Sequence, residues 1–323
     1  MILLNITLLL IGFVCLIKGA DFFVEGSSAL ARIFHVSETI IGLTIVASGT
    51  SAPELAVSTV AAMNGSNEIA ISNVIGSNSF NLLCVLGVCS VIKALPVDAD
   101  IICRDYPISI IATAAVMLMI GLPDPDLSMQ DLSRTYVGTV GRPASILLLI
   151  AFAGYITFLV IKSQRTSTEK KDTDDMPLYK CIPLILIGIA MIISGGQLVV
   201  VNAKEIARIL GMSETLIGLT IVAVGTSLPE LVTSIVAAKK GMIGMAVGNV
   251  VGSNIFNLLF ILGVSATIHP IAVNLASVYD LRFLLFISCM TFAFALFSGC
   301  IRRFEGILMI AVYVADIIWA ILR

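Results

Sequence analysis

Glu54 and Glu230 each close a short polar block set in the middle of an apolar run of about 25 residues. The blocks are Gly49-Thr50-Ser51-Ala52-Pro53-Glu54 and Gly225-Thr226-Ser227-Leu228-Pro229-Glu230. A second pair follows in the same order, Gly76-Ser77-Asn78-x-Phe80-Asn81 and Gly252-Ser253-Asn254-x-Phe256-Asn257. Carboxylates, hydroxyls and amide or backbone carbonyls are all oxygen ligands, with no sulfur and no imidazole among them. Such a set selects hard cations over zinc, copper or iron. Ca²⁺ takes six to eight oxygens in flexible geometry. Two carboxylates balance one Ca²⁺, and equally balance two Na⁺.

The position of these blocks decides between a structural and a functional reading. Ser51-x-x-Glu54 and Ser227-x-x-Glu230 fit a capping box with Pro near the first helical turn. A cap contributes about 1 kcal/mol, whereas a carboxylate near a bilayer centre costs about 2.5–3.5 kcal/mol on insertion scales. Capping alone therefore leaves the burial uncompensated, and no Lys or Arg stands at comparable depth in either run. Pro53 and Pro229 remove a backbone donor and clash one turn back, so each helix is expected to break there. The carbonyls of Ala47 and Ala223 are expected to be freed. Irregular backbone inside a membrane is tolerated where it lines a cavity or is buried in protein. Ser77 and Asn81, like Ser253 and Asn257, share a helix face at a spacing of four. Gly42, Thr44 and Gly87, with Gly218, Thr220 and Gly263, read as packing residues.

The elements that position these blocks come in duplicate. Residues 37–90 and 213–266 align without a gap at an offset of 176, with about 34 identities over 54 positions. Apolar runs place helices at about 2–24, 37–62, 69–92, 105–121 and 144–161, then 181–203, 213–238, 243–267, 281–299 and 304–322. Five helices per half is an odd number, so the second copy enters a membrane from the opposite side. The predicted fold is an all-α membrane protein of ten transmembrane helices in two inverted five-helix repeats. The expected organisation is 1–161, a linker at 162–180 and 181–323. Inverted symmetry brings Glu54 and Glu230 together, surrounded by Thr50, Thr226, Ser51, Ser227, Ser77, Ser253, Asn81, Asn257 and the freed carbonyls. Without cations this pair sets two like charges in a low dielectric. Such a site moves only when filled or protonated, which is what an antiporter requires.

Composition sets the class. Of 323 residues, 58% are hydrophobic and 12% charged, with a mean hydropathy of +1.06. A soluble domain averages about a quarter charged residues, so the expected setting is a lipid bilayer. The first 20 residues lack the basic start and small-residue cleavage site of a signal peptide. The hydrophilic stretch Lys162–Lys180 reads as a solvated linker, and the acidic loop Leu122–Pro143 as a solvated loop. The loops after the odd-numbered helices carry about twice the Lys and Arg of the others. The positive-inside rule then puts the linker in the cytoplasm and both termini outside. A net charge of −2 gives no reason to expect nucleic-acid binding. The seven Cys lack CxxC spacing and read as small buried hydrophobes, and the only two His, His35 and His269, are too few for a zinc site. HExxH, GxSxG and a GxGD partner for Tyr279-Asp280 are all missing, so no enzyme activity is expected.

The paired GTS-x-PE and GSN-x-FN blocks resemble the two alpha-repeats of the calcium/cation antiporter superfamily, and the whole chain resembles a prokaryotic Na⁺/Ca²⁺ exchanger. The resemblance implies Ca²⁺ coordination by Glu54 and Glu230 with Thr50 and Thr226. It implies Na⁺ sites at Ser51, Ser227, Ser77, Ser253 and the carbonyls of Ala47 and Ala223, with Asn81 and Asn257 lining the centre. It further implies Ca²⁺ export against several Na⁺, no cofactor beyond the transported ions, a prokaryotic plasma membrane and a functional monomer. Asn257, where some relatives carry Asp, is associated in that family with independence from K⁺. The alternative is a Ca²⁺/H⁺ antiporter using the same two Glu, although the wealth of hydroxyl and amide oxygens favours Na⁺. Arg303-x-Glu305-Gly306 has only Arg142-x-Ala144-Ser145 as its counterpart, which leaves the packing of those helices open.

Overall fold

The computed structural model describes residues 2–121, 136–165, 176–212 and 223–322. It is a bundle of helices. In chain order they are α1 (Ile2–Ile33), α2 (Glu38–Thr50), α3 (Ala52–Met63), α4 (Glu68–Ile92), α5 (Ile101–Ile120), α6 (Arg142–Arg165), α7 (Leu178–Ile209), α8 (Leu228–Lys239), α9 (Ile243–Ile268), α10 (Leu275–Ser298) and α11 (Arg303–Leu322). Seven of these are long and apolar enough to cross a membrane, and α2 with α3, bent by 48° at Ser51, is so only when the pair is taken together. A single turn, Ala223–Gly225, precedes α8. Gly218, Thr220, the linker centre at 166–175 and the loop at 122–135 lie outside the described residues.

The boundaries differ from expectation at the first helix of each half. α1 runs to Ile33 rather than 24, and α7 covers Leu178–Ile209 rather than 181–203. Hydropathy ends a span where charge begins, at Lys18, Asp21 and Glu25 in α1. A helix continues through such residues when its opposite side is packed, and Val24, Gly26, Ser27 and Leu30 are buried. α1 and α7 lie against each other along most of their length. Glycines set that distance: a Cβ on Gly12 would stand 2.9 Å from Gly195 O, and one on Gly19 2.9 Å from Gly188 O. Close approach at small residues is how helices associate where no water drives them together. The sequence pairs Gly19 with Gly195 by repeat position, but in space each meets the other's glycine one heptad away.

α4 and α9 form the buried centre, and the shells around them repeat. A Cβ on Gly87 would meet Gly306 O at 3.1 Å, and one on Gly263 would meet Ser145 O at 3.3 Å. Ser145 thus does for α6 what Gly306 does for α11, so that packing is equivalent in the two halves although the residues differ. Two short antiparallel ribbons, not anticipated from the sequence, also repeat: Leu95–Pro96 with Cys300–Ile301, and Tyr136–Val140 with Ile271–Asn274. Each ribbon joins one half to the other.

Cationic loops gather at one end of the bundle. There Lys162 reaches Asp100 (2.7 Å), Arg104 grips Asp105 (2.7 Å) and Lys240 reaches Asp21 (3.3 Å). Lys93 approaches the turn at Gly241.

Candidate ion-binding site

The helix break falls where Pro demands it. Ser51 leaves the helical region at φ −82°, ψ 10°, and Ser227 does the same at φ −92°, ψ 7°. Neither serine caps its own helix with its side chain. Ser51 Oγ instead donates to Glu230 Oε1 (2.8 Å), and Ser227 Oγ donates to Glu54 Oε1 (3.0 Å). Thr226 and Thr50 also face Glu54 and Glu230 respectively. The capping-box spacing is therefore put to another use, since each hydroxyl serves the carboxylate of the opposite half. Glu54 and Glu230 are both fully buried and lie side by side through these crossed bonds.

One expectation about the backbone is corrected. The Ala47 carbonyl is not orphaned: it accepts the Ser51 N–H (3.0 Å) and the Thr50 hydroxyl (3.3 Å), and Ser253 Oγ reaches it at 3.5 Å. Pro53 withholds the donor that would face Gly49 O four residues back, not the one facing Ala47. Ala223 opens the single turn leading into Ser227.

Below the breaks, α4 and α9 meet at their GSN blocks. Asn78 Nδ2 donates to Asn254 O (3.2 Å) and Asn254 Nδ2 to Asn78 O (3.4 Å). Asn257 Nδ2 donates to Ser77 Oγ (3.0 Å) and Asn78 Oδ1 (2.9 Å), while Asn81 Nδ2 donates to Asn254 Oδ1 (3.3 Å). Asn81 opens a π-helical turn at Asn81–Val85, and Asn257 lies in another at Phe256–Ile261. Such wide turns cluster at functional positions, and nothing in the composition of these segments announces them. The polar residues thus form two bonded sets, Thr50, Ser51, Thr226 and Ser227 around the two carboxylates and Ser77, Asn78, Asn81, Asn254 and Asn257 around each other, with Ser253 on Ala47 O.

Asn249 and Asn73 are the members that motif reading passed over. Asn249 accepts from Thr50 Oγ1 (3.1 Å) and donates to Ser234 Oγ (2.9 Å), tying the break after α2 to α8. Its repeat counterpart Asn73 donates to Ser58 Oγ (2.8 Å) and to Glu54 O (3.2 Å). The signal was present, because Asn73 and Ser58 recur at the constant offset as Asn249 and Ser234. They sit outside the polar blocks, and so they were not singled out.

Among the described residues, the carboxylates and amides of these two sets leave four buried oxygens with no donor: Glu54 Oε2, Glu230 Oε2, Asn81 Oδ1 and Asn257 Oδ1. Burying acceptors without partners is costly, and the four fall into two repeat-related pairs. Carboxylate and amide oxygens are the kind of ligand that a hard cation takes.

Residues 4–161 and 180–322 match the family described as Sodium/calcium exchanger protein. The chain belongs to the sodium/calcium exchanger family. Members of this family are membrane transporters, so the chain is an antiporter of that family and not an enzyme. It is 32% identical to the sodium/calcium exchanger MaX1 of Methanosarcina acetivorans, over 98% of this chain and 99% of that one. It is 36% identical to the putative antiporter CaxA of Alkalimonas amylolytica, over 83% of this chain and 82% of that one. The solved structure of the sodium-calcium exchanger NCX_Mj, soaked with Na⁺ and Sr²⁺, superposes with a TM-score of 0.82 at 33% identity, covering 98% of each chain. As in other members, transported ions are substrates here and no cofactor is implied.

Proposed function

We propose that this chain exports Ca²⁺ in exchange for several Na⁺, by alternating access at the cluster built on Glu54 and Glu230. The observation that carries this reading is the set of four buried, donorless oxygens on Glu54, Glu230, Asn81 and Asn257. The two carboxylates, with Thr50 and Thr226, hold Ca²⁺. Na⁺ takes the same ground in several pieces, at Ser51, Ser227, Ser77, Ser253 and the carbonyls of Ala47 and Ala223, with Asn81 and Asn257 lining the centre. Relatives named as sodium/calcium exchangers support the choice of ions. The abundance of neutral oxygens supports Na⁺ over H⁺, because a proton needs no coordination shell.

In this reading the chain has ten transmembrane helices in two inverted repeats, 1–161 and 181–323. The linker at 162–180 is cytoplasmic and both termini are outside. The cationic loops gathered at one end of the bundle support that orientation. The protein works as a monomer in the plasma membrane of a prokaryote. Access alternates as α1 and α7 move across the centre formed by α2, α3, α4, α8 and α9.

Proteoliposomes in which Na⁺, K⁺ and H⁺ gradients are varied separately test this. A Na⁺ gradient is expected to drive uptake of radioactive Ca²⁺, with a dependence on voltage because more than two Na⁺ exchange for each Ca²⁺ and net charge moves. A K⁺ gradient is expected to have no effect. Uptake that ignores Na⁺ and follows a pH jump would replace this reading with Ca²⁺/H⁺ exchange at the same two Glu.

A further inference from the structure

The amide orientations at the centre follow from two backbone carbonyls. A carbonyl oxygen can only accept, so the bonds from Asn78 Nδ2 to Asn254 O and from Asn254 Nδ2 to Asn78 O fix which way both side chains are turned. Their own Oδ1 atoms are then left to accept, and they receive Asn257 Nδ2 (2.9 Å) and Asn81 Nδ2 (3.3 Å). Turning Asn257 or Asn81 over would set two acceptors face to face. What remains at the end of each relay is a buried Oδ1 with no donor. An NH₂ in that place would meet a cation with a partial positive charge.

We propose that Asn78 and Asn254 are positioning residues for cation binding. Each is anchored on the other's backbone and turns the last amide of the opposite repeat, Asn257 or Asn81, so that its carbonyl oxygen and not its NH₂ is offered to the ion. This rests on the cation reading of the site. Both side-chain atoms of Asn78 and of Asn254 are taken up by protein partners, so neither residue is proposed as a ligand. The relay runs across the repeats: Asn78 governs Asn257, and Asn254 governs Asn81.

Double-mutant cycles on the purified full-length chain, read by calorimetric titration with Ca²⁺, test it. Asn78→Ala leaves its backbone carbonyl in place, so Asn254 keeps its orientation while Asn257 loses one of its two acceptors and keeps only Ser77 Oγ. Each of Asn78→Ala, Asn254→Ala, Asn81→Ala and Asn257→Ala is expected to weaken Ca²⁺ binding about tenfold, the effect of losing one oriented ligand. Adding Asn78→Ala to Asn257→Ala is expected to cost nothing more, and likewise Asn254→Ala added to Asn81→Ala. The same-helix pairs, 78 with 81 and 254 with 257, are expected to multiply their losses. Unfolding temperature is measured alongside, because a purely structural role would lower it without producing this cross-repeat pattern of coupling. Should one variant fail to fold, the mirror cycle in the other repeat carries the same test. Losses that multiply in all four pairs overturn the positioning role while the cation reading stands. A wild-type chain that binds no Ca²⁺ overturns the cation reading itself.

Discussion

Where α4 meets α9, and where the breaks before α3 and α8 face each other, the two halves are joined by directional bonds. Asparagines donate across the repeats, and each serine at a break reaches the carboxylate of the other half. Where α1 meets α7, the halves are joined by glycines that bring backbone against backbone, Gly12 at Gly195 and Gly19 at Gly188. Hydrogen bonds fix a register, because a shift of an ångström or two breaks them. Smooth contacts between small residues hold helices together and penalise a shift much less. The same duplicated sequence thus yields a locked centre and a sliding pair. In the function proposed above, ions are held in the first and access to them is changed by the second.

The largest effect that separates these regions comes from the locked centre. Glu54→Gln or Glu230→Gln is expected to lower Ca²⁺ transport more than about a hundredfold, since one charge of a buried balanced set is gone. Circular dichroism and unfolding temperature are expected to stay near wild type, because the amide keeps the shape. Gly19→Val or Gly188→Leu tests the sliding pair instead. A side chain there meets backbone of the facing helix, and overpacking of this kind costs about 1–3 kcal/mol. Transport rate is expected to fall about tenfold or more while Ca²⁺ affinity, read by titration, changes less than about twofold.

Smaller effects sharpen the contrast. Ser51→Ala removes the bond to Glu230 Oε1, and loss of about 1 kcal/mol weakens Ca²⁺ binding about fivefold. Ser227→Ala is expected to match it within a factor of two, because the two bonds are repeat-related. Lys240→Met is expected to do least. Its pair with Asp21 is about one-third exposed, and such pairs contribute about 0–1 kcal/mol. Asp21 and Lys240 correspond to Gln197 and Asn64 in the other half, so this ion pair has no repeat counterpart. Ca²⁺ affinity is expected to stay unchanged and the rates in the two transport directions to shift apart by less than about threefold.

Much of this was legible before any coordinates. Pro53 and Pro229 in apolar runs announced the breaks, and the constant offset announced that Glu54 and Glu230 occupy equivalent places in the two halves. Helix ends were less legible. Charge at Lys18 and Asp21 suggested the end of a span, but packing against α7 carries α1 on to Ile33. Asn73 and Asn249 went unnoticed because a buried Asn outside a polar block looks like filler until its partner is known. The exchange of Ser51 and Ser227 between carboxylates could not be read from one strand of sequence either. Within a single repeat, the capping-box spacing describes a contact that the second repeat outcompetes.

In the proposed site, one carboxylate from each half shares a Ca²⁺ deep inside the molecule. Calorimetric titration of Ca²⁺ into the wild-type chain and into Glu54→Gln and Glu230→Gln, each with and without Na⁺, tests it most directly. The expected result is one Ca²⁺ per chain, displaced by Na⁺, and no measurable Ca²⁺ binding in either variant. Wild-type affinity retained in either one would contradict it.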